Sequence, residues 1–161
     1  MIRPAVPGDV PVVLELVRAL AEYEREPDAV RMTEADLAAA LFGEPPAAAA
    51  LVATADGAGA APVVGFAIYH ETFSTWTGRT GTFLVDLFVA PEHRRGGHGR
   101  ALLAALAAVA RDGGHQRLEW DVLDWNTSAQ AFYRSLGAAP QQGWTTWRLD
   151  ADAIAALAGS A

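Results

Sequence analysis

The stretch Val85–Leu106, VDLFVAPEHRRGGHGRALLAAL, decides how this chain folds. Val85 to Val89 reads as an apolar strand. It runs into an Arg/Gly-rich turn, and the turn opens directly into an apolar helix. The first N–H groups of a helix have no partner within it, and the positive end of the helix dipole lies there too. Such a turn is a receptor for phosphate or pyrophosphate. Gly96, Gly97 and Gly99 let the backbone approach a ligand, with His98 between them, and Arg94, Arg95 and Arg100 add charge. Arginines on a solvated Gly-rich turn are the competing reading of the same residues.

Two common phosphate motifs are excluded. No G-x-x-x-x-G-K-[ST] is present, and the chain contains no lysine. A dinucleotide fingerprint is incomplete, because Gly97-His98-Gly99 is followed by Arg100-Ala101-Leu102, without the third glycine or alanine.

A second segment, Asp124–Ala138, follows an apolar strand expected at 118–123. Asn126 or Thr127 can cap its helix, and Gly137 can end it in the left-handed conformation. The order Arg94-x-x-Gly97-x-Gly99, then Asn126, Phe132-Tyr133 and Gly137-Ala138, resembles the GNAT acetyltransferase superfamily. The resemblance implies that the first segment is an acetyl-CoA pyrophosphate loop. It also implies that Asn126 contacts CoA and that Tyr133 lies near its sulfur.

Composition bounds the reading. The length, 161 residues, suggests one domain (1–161) with a sizeable core. No apolar run reaches membrane-spanning length, and the start, MIRPAVPGD, lacks the pattern of a signal peptide. Cysteine is absent, which removes disulfides, thiolate metal sites and a cysteine nucleophile. A cytoplasmic protein is expected. The net charge of −7 disfavours nucleic acid as a partner and suits a cationic substrate. The four histidines show no metal-ligand spacing, so they are read as surface or loop residues and no metal is expected.

Periodicity fills in the rest. Ile2–Ala5 reads as a strand, and Asp9 can cap a helix to about Tyr23. Glu22, Glu24, Glu26 and Asp28 form an acidic turn, and Thr33-Glu34-Ala35-Asp36 is a capping box opening a helix to about Phe42. Strands are expected at 49–54, 63–73, 82–89, 118–123 and 144–149. The residues 56–59 suit a hairpin loop, and 74–81 suit a polar turn carrying Trp76. Helices are expected from the Gly-rich turn to about Gly113 and at 127–136, with Asp150 capping a final short helix or tail. The order is that of an α/β fold: a mixed, mostly antiparallel central sheet flanked by helices, as in GNAT proteins.

Further segments narrow the resemblance. Leu20-Ala21-Glu22-Tyr23-Glu24, Thr33-Glu34-x-Asp36-Leu37, Phe42-Gly43-Glu44, Val64-Gly65-Phe66-Ala67, Asp86-Leu87-Phe88-Val89, Trp125-Asn126 and Gly143-Trp144 are similar to the diamine acetyltransferase group. That group includes the spermidine/spermine and thialysine acetyltransferases. By this resemblance Leu87, Phe88 and Val89 touch the pantetheine arm and thioester, and Arg95–Arg100 hold the pyrophosphate. The resemblance also implies that Tyr23, Glu24 and Asp86 surround a small primary amine and that the protein forms a homodimer. Two positions depart from the group: Val85 stands where an acidic residue precedes the strand aspartate, and Gln142 stands where one precedes Gly-Trp.

The chemistry then requires a base for the amine, an oxyanion donor and a proton for the thiolate. Asp86, or a water chain to Glu119 or to the Tyr23/Glu24 turn, is a candidate base. Asp86 serves equally well in an ion pair or a strand-end hydrogen bond. The N–H of Phe88 or Val89 is the candidate oxyanion donor if the strand splays. Tyr133 is the candidate acid, with packing against the CoA arm as its other role. The alternative function is a non-catalytic acyl-CoA-binding or regulatory protein.

Overall fold

The computed structural model describes residues 1–55 and 61–160, so the hairpin loop expected at 56–59 lies outside the described residues. The chain divides into two compact units, Met1–Asp121 and Val122–Ala161.

The first unit is built on a five-stranded sheet in the order β1-β2-β3-β4-β5. β1 (Ile2–Pro4), β2 (Ala49–Thr54), β3 (Val63–Ser74) and β4 (Arg79–Val89) are antiparallel neighbours. β5 (Leu118–Glu119) pairs in parallel with β4. This is the expected mixed, mostly antiparallel sheet. Alternate strand residues face opposite sides. Ala50, Val52, Phe66, Ile68 and Phe88 join one core cluster with α1 (Val10–Tyr23) and α2 (Glu34–Phe42). Leu51, Ala53, Ala67 and Leu84 are also buried, and α3 (His98–Asp112) packs on the sheet with Leu102, Leu103 and Leu106 buried.

Local chemistry explains where these helices begin. Val13, Leu16, Val17 and Leu20 recur at helical spacing and are buried, as α1 requires. At α2, Thr33 Oγ1 accepts from the Asp36 N–H (3.2 Å), and the Asp36 carboxylate accepts from the Thr33 N–H (2.9 Å). The capping box is therefore closed in both directions.

Asp9 corrects an expectation. It does not cap α1 with its side chain. Both its oxygens bind the Arg3 guanidinium (2.6 and 2.8 Å), and one also accepts from the Val6 N–H (2.8 Å). The arginine hydrogen bonds hold the Asp9 carboxyl below the usual carboxylate range. Asp9 thus ties the end of β1 to the turn before α1, and a charged partner has outcompeted the helix amides.

The second unit holds α4 (Thr127–Arg134) and α5 (Ala151–Ala158). Asn126 Oδ1 accepts from the Ala129 N–H (3.1 Å), which settles the cap on Asn126. Beyond α4 the Gly137 N–H bonds the Arg134 carbonyl and the Ala138 N–H bonds the Tyr133 carbonyl. Gly137 has φ +90, the left-handed value this closure needs. Asp150 caps α5 through the Ala153 N–H (2.8 Å), so the final segment is a helix.

Two strands differ from expectation. The strand expected at 118–123 is reduced to Leu118–Glu119, and 144–149 forms none. Tryptophan and threonine favour extended backbone, but a strand exists only where a neighbour satisfies its N–H and C=O groups. Trp144 and Trp147 are 77% and 92% exposed.

Candidate active site

The site grows out of an irregularity in β4. Ile68 faces Asp86 across the β3–β4 ladder, while the next residue, Tyr69, faces Leu84. Val85 is therefore an extra residue, a β-bulge. A slip of one residue turns a strand's side chains to the opposite face. Leu84 lies before the bulge, and Asp86 follows it, sharing the face of Ile68, Phe66 and Phe88 on which α1 packs. Val85 itself is 47% exposed.

On that face Asp86 meets the end of α1. Tyr23 is the last residue of α1, and Glu24 follows it. Burial pushes the Asp86 carboxyl up. Burial also raises Glu24, and the negative charge of Asp86 raises it further. Two partly desolvated carboxylates that feel each other are a receptor for a cation, and each is a stronger base than a free carboxylate. Arg94 completes the cluster. Its guanidinium lies 4.9 Å from the Tyr23 ring centre and 5.2 Å from that of Phe88. Its Nε donates to the Val89 carbonyl at 3.0 Å. The structure thus brings together Tyr23, Glu24, Asp86, Phe88 and Arg94. Glu119, the remote base candidate, is engaged by Arg117 at 3.4 Å.

Among the described residues no strand pairs with the far edge of β4 over its second half. Among the described residues β5 pairs only with Thr82 and Phe83. The Ala90 N–H donates to the Val64 carbonyl of β3 (2.9 Å). Alternation then directs the Phe88 N–H towards β3 and the Leu87 and Val89 N–H groups towards the open edge. Of the two expected oxyanion donors, Phe88 is removed because its N–H serves the sheet, and Val89 remains.

The Arg/Gly turn follows at once. A short 3₁₀ turn, Pro91–His93, leads to Arg95 in the left-handed region (φ +67) and then Gly97 (φ +82) at the head of α3. Gly97 supplies no side-chain cap, and the first helical bond is Ala101 N–H to the Gly97 carbonyl (2.9 Å). The amides of His98, Gly99 and Arg100 therefore occupy the uncapped first turn, where an anion fits. A Cβ at Gly97 would meet nothing within 4 Å. Gly96 packs against the His98 ring, which a Cβ would approach at 3.3 Å.

Asn126 and Tyr133 lie in the second unit, Asn126 as the cap of α4 and Tyr133 in its last turn. The Tyr133 and Phe132 rings are 5.3 Å apart.

His115 is a loop residue, as expected, but an anchored one. Its Nδ1 hydrogen-bonds with Thr82 Oγ1 at 2.6 Å and its Nε2 with Glu71 Oε2 at 3.1 Å, and its side chain is largely buried. It fastens the turn after α3 to β3 and β4. An open surface pocket of about 400 Å³ lies beside it, lined also by Ala107, Ala110 and Arg111. By helix rise this is about 20 Å from Gly97, so it is not the anion cradle.

Comparison with known proteins gives the family and the fold. The Acetyltransferase (GNAT) family matches residues 13–138. A thialysine N-epsilon-acetyltransferase from Bos taurus is 42% identical over 99% of this chain and 97% of its own. An L-ornithine N5-acetyltransferase from Arabidopsis thaliana is 28% identical over 97% of this chain and 86% of its own. An integron cassette protein of the V. cholerae mobile metagenome superimposes with TM-score 0.78 at 26% identity, covering 98% of this chain and 96% of its own. A family match across both units, with a relative this similar over its whole length, leaves one conclusion: the chain belongs to the acetyltransferase (GNAT) family and is an N-acetyltransferase.

Proposed function

We propose that the protein transfers an acetyl group from acetyl-CoA to a primary amine of a small cationic molecule, a diamine or a diamino acid such as thialysine or ornithine. The observation that carries this reading is the Asp86–Glu24 pair on the face where β4 bulges. The family match supports the donor, and the uncapped glycine-headed turn of α3 fits its pyrophosphate. The names of the relatives support an amine acceptor. Because the family match runs across residue 121, both units are read as one acetyltransferase domain.

Acetyl-CoA supplies an acyl group activated as a thioester. The residues of the chain do the rest. Backbone amides 98–100, with Arg95 and Arg100, hold the pyrophosphate far from the reacting carbon, and Asn126 adds a contact. The open edge of β4 at Leu87–Val89 takes the pantetheine arm, and the Val89 N–H stabilises the oxyanion. An alkylammonium of pKa ~10.4 costs ~4.6 kcal/mol to neutralise at about pH 7. Asp86, raised by burial, takes that proton, while Glu24 retains the cationic substrate. The neutral amine attacks the thioester carbon, and as the C–N bond forms and the C–S bond breaks Tyr133 donates to the departing sulfur, its hydroxyl being restored by the second proton that the new amide nitrogen sheds.

Release of thiol from acetyl-CoA with thialysine, ornithine, spermidine and a neutral monoamine tests this reading. The account predicts turnover with the cationic amines and weak turnover with the monoamine. CoA binding without turnover on any amine favours the regulatory alternative.

A further inference from the structure

Arg94 heads the Arg/Gly loop, where an arginine invites reading as a phosphate ligand. Its side chain is committed elsewhere. Nε donates to the Val89 carbonyl, on the open edge of β4. The guanidinium sits 4.9 Å from the Tyr23 ring centre and 5.2 Å from that of Phe88. Both distances are within the range of cation–π attraction. One planar cation is thus held by two groups of β4 and one of α1.

The geometry points to Arg94 as a positioning residue of the amine site, clamping the C-terminal end of α1 to the end of β4 through the Tyr23 ring, rather than as a ligand of the CoA phosphates. The inference rests on the acyl-transfer reading above and deepens it. Tyr23 ends α1 immediately before Glu24, and Phe88 lies two residues beyond Asp86. The arginine therefore ties together the two segments that carry the carboxylates. Helix ends fray, and like charges push the two segments apart. A guanidinium held over both rings opposes both. A lysine ammonium lacks the plane that stacks on a ring while an in-plane N–H donates.

Arg94→Gln, Arg94→Lys, Tyr23→Leu and the Arg94→Gln/Tyr23→Leu double variant provide the test. CoA affinity is measured by calorimetry, amine KM and kcat by thiol release, and stability by thermal melting. In Arg94→Gln the amine KM is expected to rise about tenfold while the CoA Kd stays within twofold. In the Tyr23→Leu background the same change is expected to move KM less than twofold, because the clamp is already lost. Arg94→Lys is expected to remain close to Arg94→Gln in amine KM. A tenfold loss of CoA affinity with unchanged amine KM would make Arg94 a phosphate ligand and overturn the proposal. So would additive effects of the two substitutions on KM. The thermal cycle reads the Arg94–Tyr23 coupling without turnover. A wild-type protein that binds no CoA would remove the acyl-transfer reading, whereas zero coupling in the thermal cycle would remove the clamp.

Discussion

At the scale of single residues the proposed chemistry turns on Asp86. Burial raises its carboxyl, so its folded pKa lies above the unfolded value of ~3.9. The stability it contributes is fully present below ~3.9 and is lost as pH rises through the folded value; at neutral pH the ionised group is a cost. Asp86→Asn should therefore raise the melting temperature at pH 7, and the gain should vanish near pH 3. The same variant should lower kcat/KM for the amine by ~10²-fold or more. A melting temperature unchanged at pH 7 would show that Asp86 is not desolvated. Tyr133 is tested differently. Tyr133→Phe keeps the ring and removes the donor, so CoA affinity should hold while single-turnover transfer falls ~10²–10⁴-fold. Near-normal chemistry in that variant, with loss only in Tyr133→Ala, would leave the tyrosine as a wall. That Tyr23, Glu24 and Asp86 lie together was legible in the sequence because a resemblance carried them residue by residue. The commitment of Arg94 to Tyr23 and the Thr82–His115–Glu71 bridge were not, because each joins residues far apart in sequence.

At the scale of elements the Arg/Gly turn and the bulge frame the proposed site. Gly97 combines φ +82 with an uncapped helix start. Gly97→Glu places a side chain in the left-handed region and a negative charge over the cradle. CoA binding should be abolished in calorimetry, in a protein whose circular dichroism is unchanged; retained affinity would remove the cradle. Elements with strong local signals, the capping box of α2 and the Asn126 and Gly137 ends of α4, were legible. The bulge left a fainter trace: Asp86 stands where alternation from Thr82 and Leu84 calls for another buried residue. The 144–149 strand failed because propensity cannot supply a partner, and Asp9 failed as a cap because Arg3 lies within reach.

At the scale of the whole molecule, the second unit exposes Trp144, Trp147, Leu149, Ile154 and Leu157. The family resemblance implies a homodimer, and exposed apolar residues are what an interface between two copies would cover. Light scattering at micromolar concentration should give twice the 17.0 kDa chain mass, and a monomer mass would contradict it. Among the described residues no helix is long and apolar enough to cross a membrane. The acidic charge of −7 and the carboxylate pair together favour a cationic acceptor. The pair also sets the pH response: kcat/KM for the amine should fall on the acid side at a pH above the ordinary carboxylate range, because both groups are raised. The most direct test of the central claim is a product balance with wild-type protein, acetyl-CoA and thialysine or ornithine, read by mass spectrometry. The account predicts one N-acetylated amine for each thiol released, and loss of both in Asp86→Asn. Bound CoA with no acetylated amine, or equal product from Asp86→Asn, would contradict it.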